Sequence, residues 1–275
     1  ILLSREYAYH GSTVASSSLG GMSNMHAMSG VMPGVEHVLP PYAYKYARDG
    51  ESPEAFGLRA ADALEERILA LGPERVAAFF AEPVQGAGGV LVPPAGYWQR
   101  VQEICRRHDV LLVTDEVISG FGRTGRWFGC ETFGIRPDFL TVAKGITSGY
   151  LPLSAAVVGE RVARTLDAKG GRLAHGYTYS GHPVPCAVGA ETLRILAREG
   201  LVERTREETG PYLERCLREA FASHPLVGEI RGVGLLHAVE LVQDRAARRL
   251  FDPPGEVGSR CLAHCFEEGV ILRAV

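Results

Sequence analysis

Three short apolar runs, each closed by an ionisable residue, dominate the hydrophobic pattern of the chain. They are Val76-Ala-Ala-Phe-Phe-Ala-Glu82, Val110-Leu-Leu-Val-Thr-Asp115 and Asp138-Phe-Leu-Thr-Val-Ala-Lys144. Short runs of β-branched and large apolar residues predict buried strands of a parallel sheet. Residues 54–71 instead place Leu58, Ala61, Leu64 and Ile68 at helical spacing, and Gly72-Pro73 ends that helix. Pro94 suits the first turn of a second helix that reaches about His108. Leu153-Ser-Ala-Ala-Val-Val158 reads as another strand, and 183–199 as a long helix closed by Gly200. A polar, amphipathic continuation runs to about residue 222, and 227–242 alternates as two strands with a turn near Gly232-Val-Gly234. Residues 1–52, with Gly, Ser, Met and Pro and little periodicity, read as loops.

The strand–helix–strand order predicts an α/β fold with a mostly parallel sheet. The pattern changes near residue 200, which predicts a large domain over 1–200 and the start of a smaller C-terminal α+β domain over 201–275. The chain begins at Ile1 without Met and stops at Gly269-Val-Ile-Leu-Arg-Ala-Val275, a run that reads as a buried strand. Both ends would leave backbone groups unpaired beside apolar side chains, so further chain is expected on both sides.

Composition narrows the class. With 275 residues, 46% apolar and 22% charged, the chain suits a globular protein with a large core. A net charge of −3 gives no reason to expect nucleic acid or an acidic membrane as partner. No apolar run approaches the roughly 20 residues of a transmembrane helix, and no leader resembles a signal peptide. Cys105, Cys130, Cys186, Cys216, Cys261 and Cys265 form no Cys-x-x-Cys pair. They read as reduced packing residues and point to the cytoplasm. No histidine pair has metal-ligand spacing with a carboxylate partner, so no metal site is expected.

The strand ends carry the candidate chemistry. In open α/β sheets ligands bind beyond the carboxyl ends of the strands. Glu82, Asp115 and Lys144 would therefore converge on one edge. One acid at a strand end is commonplace; three ionisable residues closing three core strands point to a site. An amine and a carboxylate are the pair that a pyridoxal 5'-phosphate enzyme needs, one for the cofactor carbonyl and one for the pyridinium nitrogen. Gly120-Phe-Gly-Arg-Thr-Gly125 matches a dinucleotide fingerprint in letters, but it neither follows a strand directly nor opens a convincing helix. It reads as a tight loop.

Several motifs, in order, resemble the class III pyridoxal-phosphate-dependent aminotransferases. They are Tyr9-His-Gly-Ser-Thr13, Glu82-Pro-Val-Gln-Gly-Ala-Gly-Gly89, Thr114-Asp-Glu-Val-Ile-Ser-Gly-Phe-Gly-Arg-Thr-Gly125, Thr141-Val-Ala-Lys-Gly145 and His175-Gly-Tyr-Thr-Tyr-Ser-Gly-His-Pro183. The resemblance implies a fold type I enzyme. It implies Lys144 as the Schiff-base lysine, Asp115 at the pyridinium nitrogen, Val117 and Tyr9 on opposite ring faces, and His10 beside Tyr9. Glu82 would sit near the ring, either as a bystander or as an acid that holds a substrate-reading arginine aside. Thr178 would reach the cofactor phosphate of a neighbouring subunit in a homodimer with shared sites. Arg123 would serve structure or an interface.

Ile118, together with Glu240-Leu-Val-Gln-Asp-Arg245, looks like the ω-amino acid or amine:pyruvate branch. The implied reaction moves an amino group from such a donor to an oxo acid, here pyruvate. Two family features have no counterpart in the chain. The phosphate-binding turn would precede Tyr9, and the arginine for a substrate carboxylate would follow residue 275. An aminomutase, racemase or decarboxylase of the same fold, or a cofactor-binding protein without turnover, would share the same lysine and acid.

Overall fold

The computed structural model describes residues 1–170, 173–253 and 255–275. Six strands build the main sheet: β1 (Leu2–Arg5), β2 (Val35–Val38), β3 (Ala78–Ala81), β4 (Leu111–Asp115), β5 (Phe139–Val142) and β6 (Ala155–Val158). Their order is β2-β1-β3-β4-β5-β6. The first five run parallel, and β6 pairs antiparallel with β5 at the edge. The mostly parallel α/β reading therefore holds. After residue 200 a separate antiparallel sheet forms from β7 (Val227–Val233), β8 (Leu236–Asp244) and β9 (Arg249–Leu250).

The core forms where the helices Pro53–Leu71 and Tyr97–Arg107 lie against each other and the sheet. Phe56, Leu64, Ile68, Trp98, Val101 and Ile104 meet Leu3, Phe79 and Leu112 there. Each such side chain contributes roughly 1.5–3 kcal/mol by leaving water. The Ser52 hydroxyl caps the first helix and Pro53 opens it. Gly57 lets it press on Pro94, whose Cβ would lie 3.0 Å from an added methyl.

Four expectations need correction. Residues 1–52 are not all loop: β1 lies inside the sheet, between β2 and β3. Its Ser4 and Arg5 are fully buried, so a polar half hid a core strand. Leu58 is 45% exposed, because the buried stripe of its helix runs through Phe56, Ala60, Leu64 and Ile68. The strand expected at 269–275 is absent, and Ile271 is largely exposed. β5 stops at Val142, so Lys144 sits just past the strand, opening the turn Lys144–Thr147 with φ 44°. Among the described residues no helix is long and apolar enough to cross a membrane. Cys105 and Cys130 are buried as expected of packing residues, whereas Cys186 and Cys261 are exposed.

Candidate active site

The carboxyl ends of β1, β3 and β4 bring a polar cluster together. Asp115 ends β4, is 9% exposed, and receives two hydrogen bonds. The His10 ring nitrogen Nδ1 lies 2.8 Å from its Oδ2, and the Val117 amide donates to Oδ1 at 3.0 Å. A carboxylate only accepts, so Nδ1 carries the proton. The opposite ring nitrogen, Nε2, lies 3.1 Å from the Ser4 hydroxyl on β1. Histidine and loop amide thus fix the rotation of the acid from two sides.

Glu82, one residue beyond β3, is built similarly. Its Oε1 accepts from the Tyr9 amide at 3.2 Å and its Oε2 from the Gly86 amide at 2.9 Å. Burial pushes its carboxyl above the usual range; His10 and Arg5 pull it back, and Asp115 adds to the rise. Arg5 is fully buried and donates to the Glu82 carbonyl at 2.6 Å. Its guanidinium stands 5.5 Å from the Trp98 ring centre, while Nε and Nη1 find no hydrogen-bond partner among the described residues.

Lys144 approaches from the adjacent strand. Asp115 pairs in register with Thr141, so the lysine lies three residues beyond the acid's cross-strand neighbour, off the same edge. It is exposed and lines a cavity of about 820 Å³ with Val117, Ile118, Phe121 and Arg123. Asp115, Glu82 and Tyr9 do not line that cavity. Phe121 packs over Gly145, where an added methyl would come within 3.1 Å of its ring.

Direct hydrogen bonds therefore join the Tyr9 amide to Glu82, and His10 and the Val117 amide to Asp115, with Lys144 just past the end of the neighbouring strand. Thr178 is not brought in; it is exposed on the segment before the helix Pro183–Arg198. Ser4, Arg5, Gly86 and Glu116 were not singled out from sequence; Arg5 meets its partner 77 positions away, and the nearer partners of the other three come within reach only once the loops fold. The Gly120–Gly125 run forms consecutive turns against the residues 202–206, with Gly122 and Gly125 at φ 92° and 84°. That matches the tight loop expected from sequence.

The family model described as Aminotransferase class-III matches residues 2–275. The chain belongs to the class III aminotransferases. It is 49% identical over 276 residues to the putrescine–pyruvate aminotransferase of Pseudomonas aeruginosa, covering 100% of this chain and 60% of that one. It is 46% identical over 280 residues to the diaminobutyrate–2-oxoglutarate transaminase of Halomonas elongata, covering 100% of this chain and 59% of the relative. The crystal structure of the ω-transaminase from Pseudomonas jessenii in complex with PMP superposes with a TM-score of 0.93 at 46% identity, over 99% of this chain and 61% of that one. This class III chain thus spans about 60% of the length of the curated relatives it matches.

Proposed function

We propose that the complete protein is a pyridoxal-phosphate-dependent aminotransferase that moves an amino group from an ω-amino acid or amine to an oxo acid, with pyruvate as acceptor. One observation carries the reading. A lysine and a doubly hydrogen-bonded acid leave adjacent parallel strands at the edge where such sheets bind ligands. The likeness to the putrescine–pyruvate enzyme supports the choice of acceptor.

The residues present fit the cofactor. A carboxylate, an amine and an aromatic side chain stand at the positions of the family motifs, and among the described residues the buried acid meets the His10 ring but no lysine or arginine. When bound, pyridoxal phosphate supplies a reactive carbonyl and an electron-withdrawing ring. Asp115 would hold the ring nitrogen in its protonated form, and the His10 and Val117 donors would stabilise its anionic state. The Lys144 Nζ would hold the cofactor through its carbonyl group and, as a free amine, would serve as the general acid–base for the proton on the substrate carbon. Tyr9 and Val117 would confine the ring from its two faces. Glu82 would stay beside it, anchored on the Tyr9 and Gly86 amides.

The same reading assigns residues 1–200 to the cofactor-binding domain and 201–275 to the smaller one. It assigns Thr178 to the cofactor phosphate of a second subunit in a homodimer. The six free cysteines support a cytoplasmic location. An amine-donor screen of the complete protein with pyruvate and with 2-oxoglutarate tests the proposal. Alanine formed from pyruvate and a terminal amine is the expected product. Decarboxylation or racemisation without amino transfer would overturn it, and 2-oxoglutarate as the sole acceptor would overturn the choice of pyruvate.

A further inference from the structure

Glu116 follows Asp115 in the chain, is wholly buried, and takes no part in the reaction proposed above. Its Oε2 accepts from the Ser119 hydroxyl at 2.6 Å and from the Gly129 amide at 2.8 Å. Its Oε1 accepts from the Cys130 amide at 2.6 Å. Among the described residues no cation pairs with it. The main chain is fixed as well: the Glu116 amide donates to the Thr141 carbonyl on β5, and the Gly120 amide donates to the Glu116 carbonyl, both at 2.9 Å.

These bonds join the two ends of one loop. Residue 116 leaves β4, while residues 129 and 130 begin the short helix Gly129–Phe133. Between them the loop touches each part of the candidate site. The Val117 amide bonds to Asp115. Ile118 packs on Gly86, whose amide holds Glu82; an added methyl there would come within 2.7 Å of the Ile118 side chain. Phe121 covers Gly145, the residue after Lys144, and meets Phe128 with ring centres 5.5 Å apart. Gly129 can lie this close only without a side chain, since a methyl would be 2.8 Å from the Pro83 Cβ.

We propose that Glu116 is the positioning residue of the site: by clasping both ends of the 116–130 loop it sets Val117 against Asp115, Ile118 against the Glu82 loop and Phe121 against the Lys144 turn. Both carboxylate oxygens face donors, so the role requires an acceptor on each side. Gln would turn an amide NH₂ toward at least one donor and leave that donor unpaired in the interior. The inference rests on the functional reading for its consequence, but the clasp is a property of the chain alone.

The test compares wild type, Glu116→Gln and Ser119→Ala in the complete protein. The first readout is hydrogen exchange of cofactor-free protein. For Glu116→Gln, amides of residues 117–128 should exchange about tenfold faster, while those of the helix Pro53–Leu71 stay unchanged. Ser119→Ala, which removes one of three donors, should give a smaller effect in the same peptides. The second readout is titration with pyridoxal phosphate by visible absorbance, where Glu116→Gln should need about tenfold more cofactor. Unchanged exchange in the loop, or faster exchange spread evenly over the molecule, overturns the clasp. If Glu116→Gln does not fold, Ser119→Ala decides by the same exchange criterion. A wild type that gains no visible band with the cofactor overturns the functional reading instead, and the exchange result still stands.

Discussion

Replacing Arg231 by Met should cost about 3–5 kcal/mol of folding stability, the usual loss when one partner of a buried ion pair is removed. The arginine leaves β7 and is almost enclosed, with 12% of its side chain exposed. Nη1 meets Glu229 at 2.8 Å and Glu240 at 2.6 Å. Nε and Nη2 both donate to the Gly89 carbonyl, at 2.9 and 2.6 Å, and Nε also reaches the Val90 carbonyl at 3.2 Å. The guanidinium lies over the Tyr42 ring, whose hydroxyl donates to Glu240 at 2.5 Å. Burial pushes the Tyr42 phenol above its usual range, with Glu240 adding to the rise, so it remains a donor. Met would fill the volume but leave Glu240, 15% exposed, without its cation. Glu229, 34% exposed, can turn to water and should matter less.

The loop carbonyls add a second cost. Val90 holds φ 52° and Gly89 φ 111°, and a β-branched residue keeps that conformation only where its surroundings enforce it. Urea unfolding of wild type, R231M and R231M/E240Q measures the effect. The double variant should recover most of the loss, because it removes the stranded carboxylate. A loss below about 1 kcal/mol, or a double variant weakened by the sum of both changes, would refute the reasoning.

Two further outcomes follow from buried and paired groups. Burial pushes the Cys105 and Cys130 thiols up to about 12, so both should resist a thiol reagent in folded protein at pH 8 and react only after urea is added; immediate reaction of all six cysteines would contradict this. The Arg59 hydrogen bond holds the Glu51 carboxyl at about 2, below its ordinary value. A depressed carboxyl contributes stability above the unfolded value, near 4.5, and loses it as pH falls through about 2. Glu51→Gln should flatten that part of the urea-midpoint curve, and a curve parallel to wild type would rule the pairing out.

Strands β3, β4 and β5 were legible because each is a nearly uniform apolar run; β3 and β4 are buried as that pattern predicts, whereas β5, beside the edge strand, is only half-buried. β1 was not, since Ser4 and Arg5 spend a core position on hydrogen bonds to His10 and the Glu82 carbonyl. Nothing local announces such partners. The helix Pro53–Leu71 was legible as a helix, but its Leu58 was placed on the wrong face because Gly57 and the alanines make the close contact instead. Asp115 and Glu82 could be read from their place at strand ends, and Lys144 from the end of its apolar run. Each acid takes one bond from its own loop, but the second bond, from Tyr9 to Glu82 and from His10 to Asp115, spans 73 and 105 positions and exists only after folding. Thr178 was named by family likeness alone, and the chain does not bring it to the acid cluster.

The most direct measurement is the visible spectrum of the complete protein with pyridoxal phosphate, wild type beside Lys144→Ala. The wild type should show the absorbance band of cofactor bound covalently to a lysine and transfer amino groups. The variant should bind the cofactor without that band and transfer none. An unchanged band in Lys144→Ala would mean that another amine holds the cofactor, and the pairing of Lys144 with Asp115 would not be the centre of the site.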